Sequence, residues 1–592
     1  MNSIWNKTIQ YFQERFSSLF EMFESCINEF NKYIQTPHEQ EKLYPFWQVK
    51  KTKNDSCTVT QNGTRLHSAY NPQKEAETII QNTDFSEAET CVFLGTGLGY
   101  TCIECAKKHP EKTLIIFEPD PYHFFSSLIF TDWTDVFKCK NLILAISCTP
   151  EQGITLINQY EILKTNFFHV KAQTNHAEKY FETLETLIKR NINKEKINIA
   201  TLEKFGKLWV KNTCKNLKKS FFSQGITQYK NCAKNIPFLI LAAGPSLQDI
   251  LPHLKEIKNK AIIVCVDTAL RFCIKYNVEP DFIVLTDPQY WAYKHIDGIK
   301  SPSSILITES AVYPSVFRFV CKKIICCKSN FPLEHYFDSF RSEKGTLVAG
   351  GSVASTAWNF AQYAGASEIY VAGLDLAFPN KQTHIKGSTF EQATHTTSKR
   401  IATAETSNMP ILFSGNACYE KNYKQQNVLT DQRMKMFAWW FESRLEQFPD
   451  VKTYTFSQNG LYIPGIEFIT IDKLLSKPEI TKEKSTFLSL EQNQIPTEQD
   501  FEKAIKSFEQ EFTIIKERIF LAINQLKNND SNALSLKFTD NQTINQIIKM
   551  LTPTQNQIQK AITNDNATYN KKITELSILA ENIDFCIKKI KN

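Results

Sequence analysis

Four short constellations in this chain carry side chains or backbone turns with chemistry to offer. The first is Gly95-Thr96-Gly97-Leu98-Gly99-Tyr100, straight after the apolar run Cys91-Val92-Phe93-Leu94, with Glu118 placed 23 residues after Gly95. Glycines there permit a tight turn and close backbone approach, a helix opening behind them can hold an anion, and the acid can grip a ribose diol. GxGxG spacing leans toward a methyltransferase-like loop for S-adenosylmethionine, with NAD as the other option. The alternative is a Rossmann-like domain that keeps the loop and binds nothing.

The second constellation is the run Phe238-Leu239-Ile240-Leu241-Ala242-Ala243 into Gly244-Pro245-Ser246-Leu247. It predicts a buried strand, a turn and a helix over 246–256 with Ser246 as its cap, leaving backbone N–H groups for a phosphate. Asp267, followed by Thr268, and Asp287 end the next two predicted strands. In open α/β sheets ligands bind at the carboxyl ends of strands, so these polar ends converge on one rim. The third, Gly350-Gly351-Ser352-Val353, is another anion-ready turn opening a helix. The fourth, Gly373-Leu374-Asp375-Leu376-Ala377-Phe378, is followed by His384. A carboxylate and an imidazole there suit a base, an acid or a metal ligand. No Asp-x-Asp, GxxxxGK[ST] or GxSxG motif occurs, so no metal-dependent sugar-nucleotide site, P-loop or nucleophile elbow is expected.

The elements that must position these residues divide the chain in three. Residues 1–36 read as helix, with Phe12, Phe16, Phe20 and Phe23 at helical period and Pro37 as the stop. Short strands joined by turns follow over 44–69, broken at Asn54-Asp55 and at Asn62-Gly63. Strands at 91–94, 113–117 and 141–146, alternating with helices, predict a parallel sheet. Residues 175–235 read as mainly helical. A second α/β series has strands at 238–242, 261–266, 281–285, 304–308, 323–327 and 368–372, with helices at 268–276 and 352–364 besides 246–256. From 481 the spacing of Phe501, Ile505, Phe508, Phe512, Ile515, Ile519, Ile523 and Leu526 predicts a helical bundle. The fold class is α/β: a Rossmann-like domain with its N-terminal helix over 1–200, a doubly wound domain over 201–480 and a helical domain over 481–592.

Composition narrows the function classes. The 592 residues include only 18 glycines, none before Gly63 or after Gly465. That is under half the usual ~7%, so each glycine cluster marks a backbone demand. A net charge of +7 is mild for this length and argues against a dedicated nucleic-acid binder. No apolar run reaches the ~18–20 residues of a membrane span, and the N-terminus lacks the pattern of a secretory signal. Sixteen scattered cysteines without zinc spacing suit a reducing cytoplasm.

Taken in order, these motifs resemble the motility-associated-factor (Maf) flagellin glycosyltransferases. The resemblance rests on 243–247, Val266-Asp267-Thr268-Ala269, Pro280-Asp281, Thr286-Asp287-Pro288, Gly350–Val353, Gly373–Phe378 and His384. In the first block it rests on Leu66-His67-Ser68, Tyr70, Pro72, Glu75, Ala76, the glycine loop and Phe117-Glu118-Pro119-Asp120. Thr430-Asp431 and Asn459-Gly460 to Ile463-Pro464-Gly465 continue it, although Ser457–Gly460 is poorer in glycine than the family pattern. The resemblance implies a cytoplasmic enzyme whose central domain is sialyltransferase-like (a GT-A variant). It would move a nonulosonic, sialic-acid-like sugar from a CMP-activated donor to Ser or Thr hydroxyls of flagellin, with no tightly bound cofactor. On that expectation Gly244, Pro245, Ser246, Asp267, Thr268, Gly350, Gly351 and Ser352 hold the donor, and Asp287, Asp375 and His384 are the catalytic candidates. A pterin pyrophosphokinase-like enzyme and a non-catalytic flagellin-binding protein are the alternatives.

Overall fold

The computed structural model describes residues 2–35, 47–54, 56–329, 331–348, 350–491, 494–528, 537–561 and 568–591. The expected helix stop at Pro37 and the Asp55 half of the expected turn lie outside them. The chain forms two compact units, Met1–Ala200 and Thr201–Asn592, and the boundary falls inside one 45-residue helix, Glu178–Phe222.

In the first unit the expected single N-terminal helix is three: Asn2–Arg15, Ser17–Met22 and Glu24–Gln35. Phe16 and Phe23 leave helical geometry (φ −124°, ψ 51° and φ −106°, ψ 16°). Bending there lets the aromatic stripe follow its core, with Phe12 against Phe124, Phe125 and Phe137. Strands β1 (Trp47–Lys51), β2 (Cys57–Gln61) and β3 (Thr64–Arg65) form an antiparallel meander. Asn62 and Gly63 both take positive φ (48° and 78°), the geometry of a tight primed hairpin turn. Strands β4 (Thr90–Leu94), β5 (Thr113–Glu118), β6 (Leu142–Ile146) and β7 (Thr165–His169) make a parallel sheet in the order β6-β5-β4-β7. β7 completes the sheet at a place where the sequence reading has no strand.

The second unit is built on eight parallel strands. They are β8 (Phe238–Leu241), β9 (Ile262–Val266), β10 (Phe282–Val284), β11 (Ser301–Thr308), β12 (Cys321–Cys326), β13 (Glu368–Ala372), β16 (Lys452–Thr455) and β17 (Ile466–Phe468). Their order is β12-β11-β10-β9-β8-β13-β16-β17, so the winding reverses between β8 and β13. β8 and β9 are buried along their whole length, which is why they read as unbroken apolar runs. A small hairpin of β14 (Cys418–Lys421) and β15 (Asn427–Thr430) is separate. The expected helix over 246–256 is instead two 3-10 turns, Pro245–Asp249 and Leu251–His253, and a single α-turn at Leu254–Ile257. Pro252 lacks the N–H a continuous helix would need there. Helices Asp267–Lys275 and Val353–Tyr363 fall where the periodicity puts them.

Residues 481–592 belong to this second unit. The helix Glu498–Lys527 opens with a Thr497/Asp500 capping box and buries Phe508, Phe512, Ile515, Ile519 and Leu526. These pack with Leu576 and Ile583 of the last helix and with Phe221, Leu333 and Phe337. Among the described residues no helix is long and apolar enough to cross a membrane.

Candidate functional site

The glycine loop of the first unit is filled by the protein itself. The Leu98 N–H donates to His67 Nε2 (2.8 Å). A Cβ at Gly97 would strike the same imidazole, one at Gly99 would strike Trp133, and one at Gly95 the Gln173 carbonyl. Close approach at these glycines therefore serves packing. Glu118 is fully buried and hydrogen-bonds His176 (2.7 Å), with its Oε2 unpartnered. It does not line the cavity of about 300 Å³ beside Gly95, Thr96, His169 and Gln173, so loop and acid do not form the expected ribose site. Glu118, His123 and His176 bring one ligand atom each within 4.8 Å. The two imidazoles stack at 3.6 Å and 10°, however, and lone pairs lying in parallel ring planes do not converge on one ion.

The second unit places its motifs at the reversal of the strand order, where doubly wound sheets bind ligands. A cavity of about 280 Å³ there is lined by Gly244, Asp267, Thr268, Asp287, Ser352, Asp375 and His384. Seven positions scattered over 140 residues thus share one site. Pro245, Ser246, Gly350 and Gly351 are not among its lining residues.

The turn after β8 is bound inward. Gly244 N–H donates to the Gly373 carbonyl (2.8 Å) and Ser246 N–H to Asp375 Oδ2 (3.0 Å). Gly244 has φ −70°, ordinary for any residue. It must be glycine because a Cβ would meet the Asp375 carboxylate and the Gly373 carbonyl. The expected Ser246 cap and its free N–H groups are therefore corrected: this turn holds Asp375. The helix opening of Val353–Tyr363 remains. Ser352 caps it, accepting from Ser355 N–H, and Ser352, Val353 and Ala354 face the cavity. Gly350 and Gly351 leave room for Trp440 and Phe437, which a Cβ at either would strike.

Burial sets the charges. It pushes the Asp267 carboxyl up to about 7, with the Asp287 charge adding to the effect. Asp287 is also raised by burial, opposed by the Gln289 N–H (2.8 Å). Asp375, 3% exposed, is raised by burial too, and its Oδ1 has no partner. Leu376 beside it sits at φ 44°, a conformation that a bulky residue holds only under constraint. Burial lowers His384 to about 4, helped by Arg433. It is therefore neutral at pH 7 and able to take a proton.

His295 went unnoticed in the sequence. It is buried, lines the same cavity, is lowered to about 4 by burial, and hydrogen-bonds Thr389. Phe390 lies between the imidazoles, 4.8 Å from His295 and 4.7 Å from His384. Met434 and Phe437 complete the apolar wall. No spacing signal could pair His295 with Thr389, 94 residues away.

Pro280-Asp281 proves structural. Asp281 lies at the opposite end of β10, accepts from Ile263 N–H (2.7 Å) and pairs with Lys484 (2.6 Å).

Residues 7–161 match the Glycosyltransferase Maf N-terminal domain model. Over this first part the chain is similar to the Maf glycosyltransferases. Residues 209–381 match a second model, 6-hydroxymethylpterin diphosphokinase MptE-like. A solved structure described as a Maf glycosyltransferase from Magnetospirillum magneticum AMB-1 is similar over 99% of this chain and 95% of its own, with TM-score 0.58 and 14% identity, a likeness of fold. An uncharacterized protein of Treponema pallidum (strain Nichols) is 34% identical over 230 residues, and another is 25% identical over 254. These matches cover 34% and 42% of this chain and span 58% and 87% of the respective relatives.

Proposed function

We propose that the second unit is a glycosyltransferase that moves a sugar from a nucleotide-activated donor to a hydroxyl acceptor. The observation that carries this reading is the single cavity at the strand-order reversal, where a helix opening, buried carboxylates and a neutral imidazole meet. The opening of Val353–Tyr363 receives the donor phosphate, since its N–H groups and dipole favour an anion. Asp267 with Thr268 takes donor hydroxyls. Phe390, Met434 and Phe437 offer apolar faces to a ring. His384, neutral at pH 7, accepts the proton of the attacking hydroxyl, so the nucleophile forms as the bond from sugar to phosphate breaks. Asp375 and Asp287 orient sugar and acceptor.

The finer reading follows the family resemblance. The donor is a CMP-activated nonulosonic acid, the acceptor is Ser or Thr of flagellin, and the reaction runs in the cytoplasm. Incubating the chain with such a donor and purified flagellin, then weighing intact flagellin by mass spectrometry, tests it. A mass gain of one sugar per site is expected, and it is lost with His384→Ala. Unchanged flagellin mass would overturn the reading.

The MptE-like match over 209–381 favours a second reading, pyrophosphoryl transfer to a pterin alcohol. AMP release from ATP that depends on 6-hydroxymethylpterin would mark that chemistry.

A further inference from the structure

The cavity in the second unit is rich in acid and poor in fixed positive charge. Asp267, Asp287 and Asp375 line it, and among the described lining residues there is no lysine or arginine. Two guanidinium groups outside the lining act on its imidazoles, Arg433 on His384 and Arg271 on His295, but each is tied to a partner: Arg271 donates to the Asp297 carbonyl (3.1 Å) and Arg433 pairs with Asp431 (3.1 Å). Both imidazoles of the site are neutral at pH 7.

Two of the carboxylates are neighbours. Val266 and Val284 are partners across β9 and β10; Asp267 follows the first directly, Asp287 stands three residues past the second, and both side chains line the one cavity, where the Asp287 charge acts on Asp267. Asp287 accepts from the N–H (2.8 Å) and the side-chain amide (3.4 Å) of Gln289. Paired desolvated carboxylates repel each other, and a donor phosphate would add to the charge. The third carboxylate points to a ligand independently: Asp375 is nine-tenths buried, lines the same cavity and keeps one oxygen without a partner.

We propose that Asp267 and Asp287 hold a divalent cation that enters with the donor phosphate. Hard cations such as Mg²⁺ and Mn²⁺ are commonly bound by one or two carboxylates plus substrate phosphate oxygens. The ion would bridge the carboxylate pair to an anion at the helix opening Ser352–Ala354. The pair is assembled by the sheet, so the absence of an Asp-x-Asp tripeptide does not preclude it. The inference rests on reading this cavity as the donor site, but the ion can be measured without turnover.

Mn²⁺ titrated into the full chain, with and without CMP, is followed by electron paramagnetic resonance. Wild type is expected to bind one Mn²⁺, at least tenfold tighter with CMP present. Asp267→Asn and Asp287→Asn should each weaken it at least tenfold, with circular dichroism unchanged. Glu118→Gln, at the histidine cluster of the first unit, should leave it unchanged. Mn²⁺ affinity untouched by both aspartate variants, or lost in Glu118→Gln alone, would overturn the proposal, as would CMP binding without any Mn²⁺. Mn²⁺ that requires both aspartates but ignores CMP would keep the ion and overturn the donor reading.

Discussion

His384 and Asp267 show how burial converts ordinary side chains into a site. Neutral at pH 7, His384 has its proton-accepting nitrogen available without first shedding a proton. Replacing it with alanine should lower kcat by about 10²–10⁴-fold, the range for a lost general base, with little change in donor KM. Steady-state kinetics check this, and a KM effect alone would make it a binding residue. Asp267 acts on stability with a defined sign. Its folded-state pKa of about 7 lies above its ordinary value, so its contribution is present at low pH and lost as pH rises through 7. Asp267→Asn in EDTA should therefore stabilise the protein at pH 8 by on the order of 2–4 kcal/mol, and the gain should vanish toward pH 4. Chemical denaturation at several pH values reads it. Gly244 is decided by contact: Gly244→Val forces a side chain onto the Asp375 carboxylate and the Gly373 carbonyl. It should lower Tm as well as abolish binding, whereas Ser246→Ala, which keeps its backbone N–H on Asp375, should cost only about 0.5–1.5 kcal/mol.

At the scale of elements, the rim loops are fixed by the C-terminal half of the long helix Glu178–Phe222. Asn212 donates from its amide to the Pro288 carbonyl (2.9 Å) and the Ala311 carbonyl (3.0 Å). Asn216, one turn on, donates to Ser310 (2.8 Å) and Val312 (2.8 Å). Pro288 follows Asp287 directly, so this clamp sets where that carboxylate stands. Asn212→Leu would leave two carbonyls unpaired in a buried place, at a cost of about 1–3 kcal/mol. The expected outcome is a lower Tm together with a lower kcat. A Tm loss with normal turnover would make the clamp purely structural.

At the scale of the molecule, the sheet of the second unit is closed by residues far along the chain. Lys484 pairs with Asp281 and donates to the Ala261 carbonyl (3.0 Å). Phe487, 2% exposed, packs on Tyr229, Phe238 and Phe282. A fragment of 238–475, which contains every cavity motif before Leu475, lacks this cover and should be aggregated or molten. The fragment 201–592 should melt cooperatively. Phe487→Ala in the full chain should cost about 3–5 kcal/mol, a loss that calorimetry would register.

The sequence alone determined most of the parallel strands and many of the residues that line the second unit's cavity. Buried strands must be continuous apolar runs, and a chain sparing of glycine marks the turns between them. It could not determine what each glycine was for. Gly97 and Gly244 look alike as phosphate-loop glycines, yet one makes room for His67 and the other for Asp375, because only the packed fold says which atoms approach. The helix expected after Ser246 gave way to 3-10 turns, and β7, β16 and β17 passed unseen, since short strands carry little periodicity. His295 and the pairing of Asp267 with Asp287 exist only once β9 and β10 lie side by side. Strand order is set by long-range burial, and local spacing does not record it.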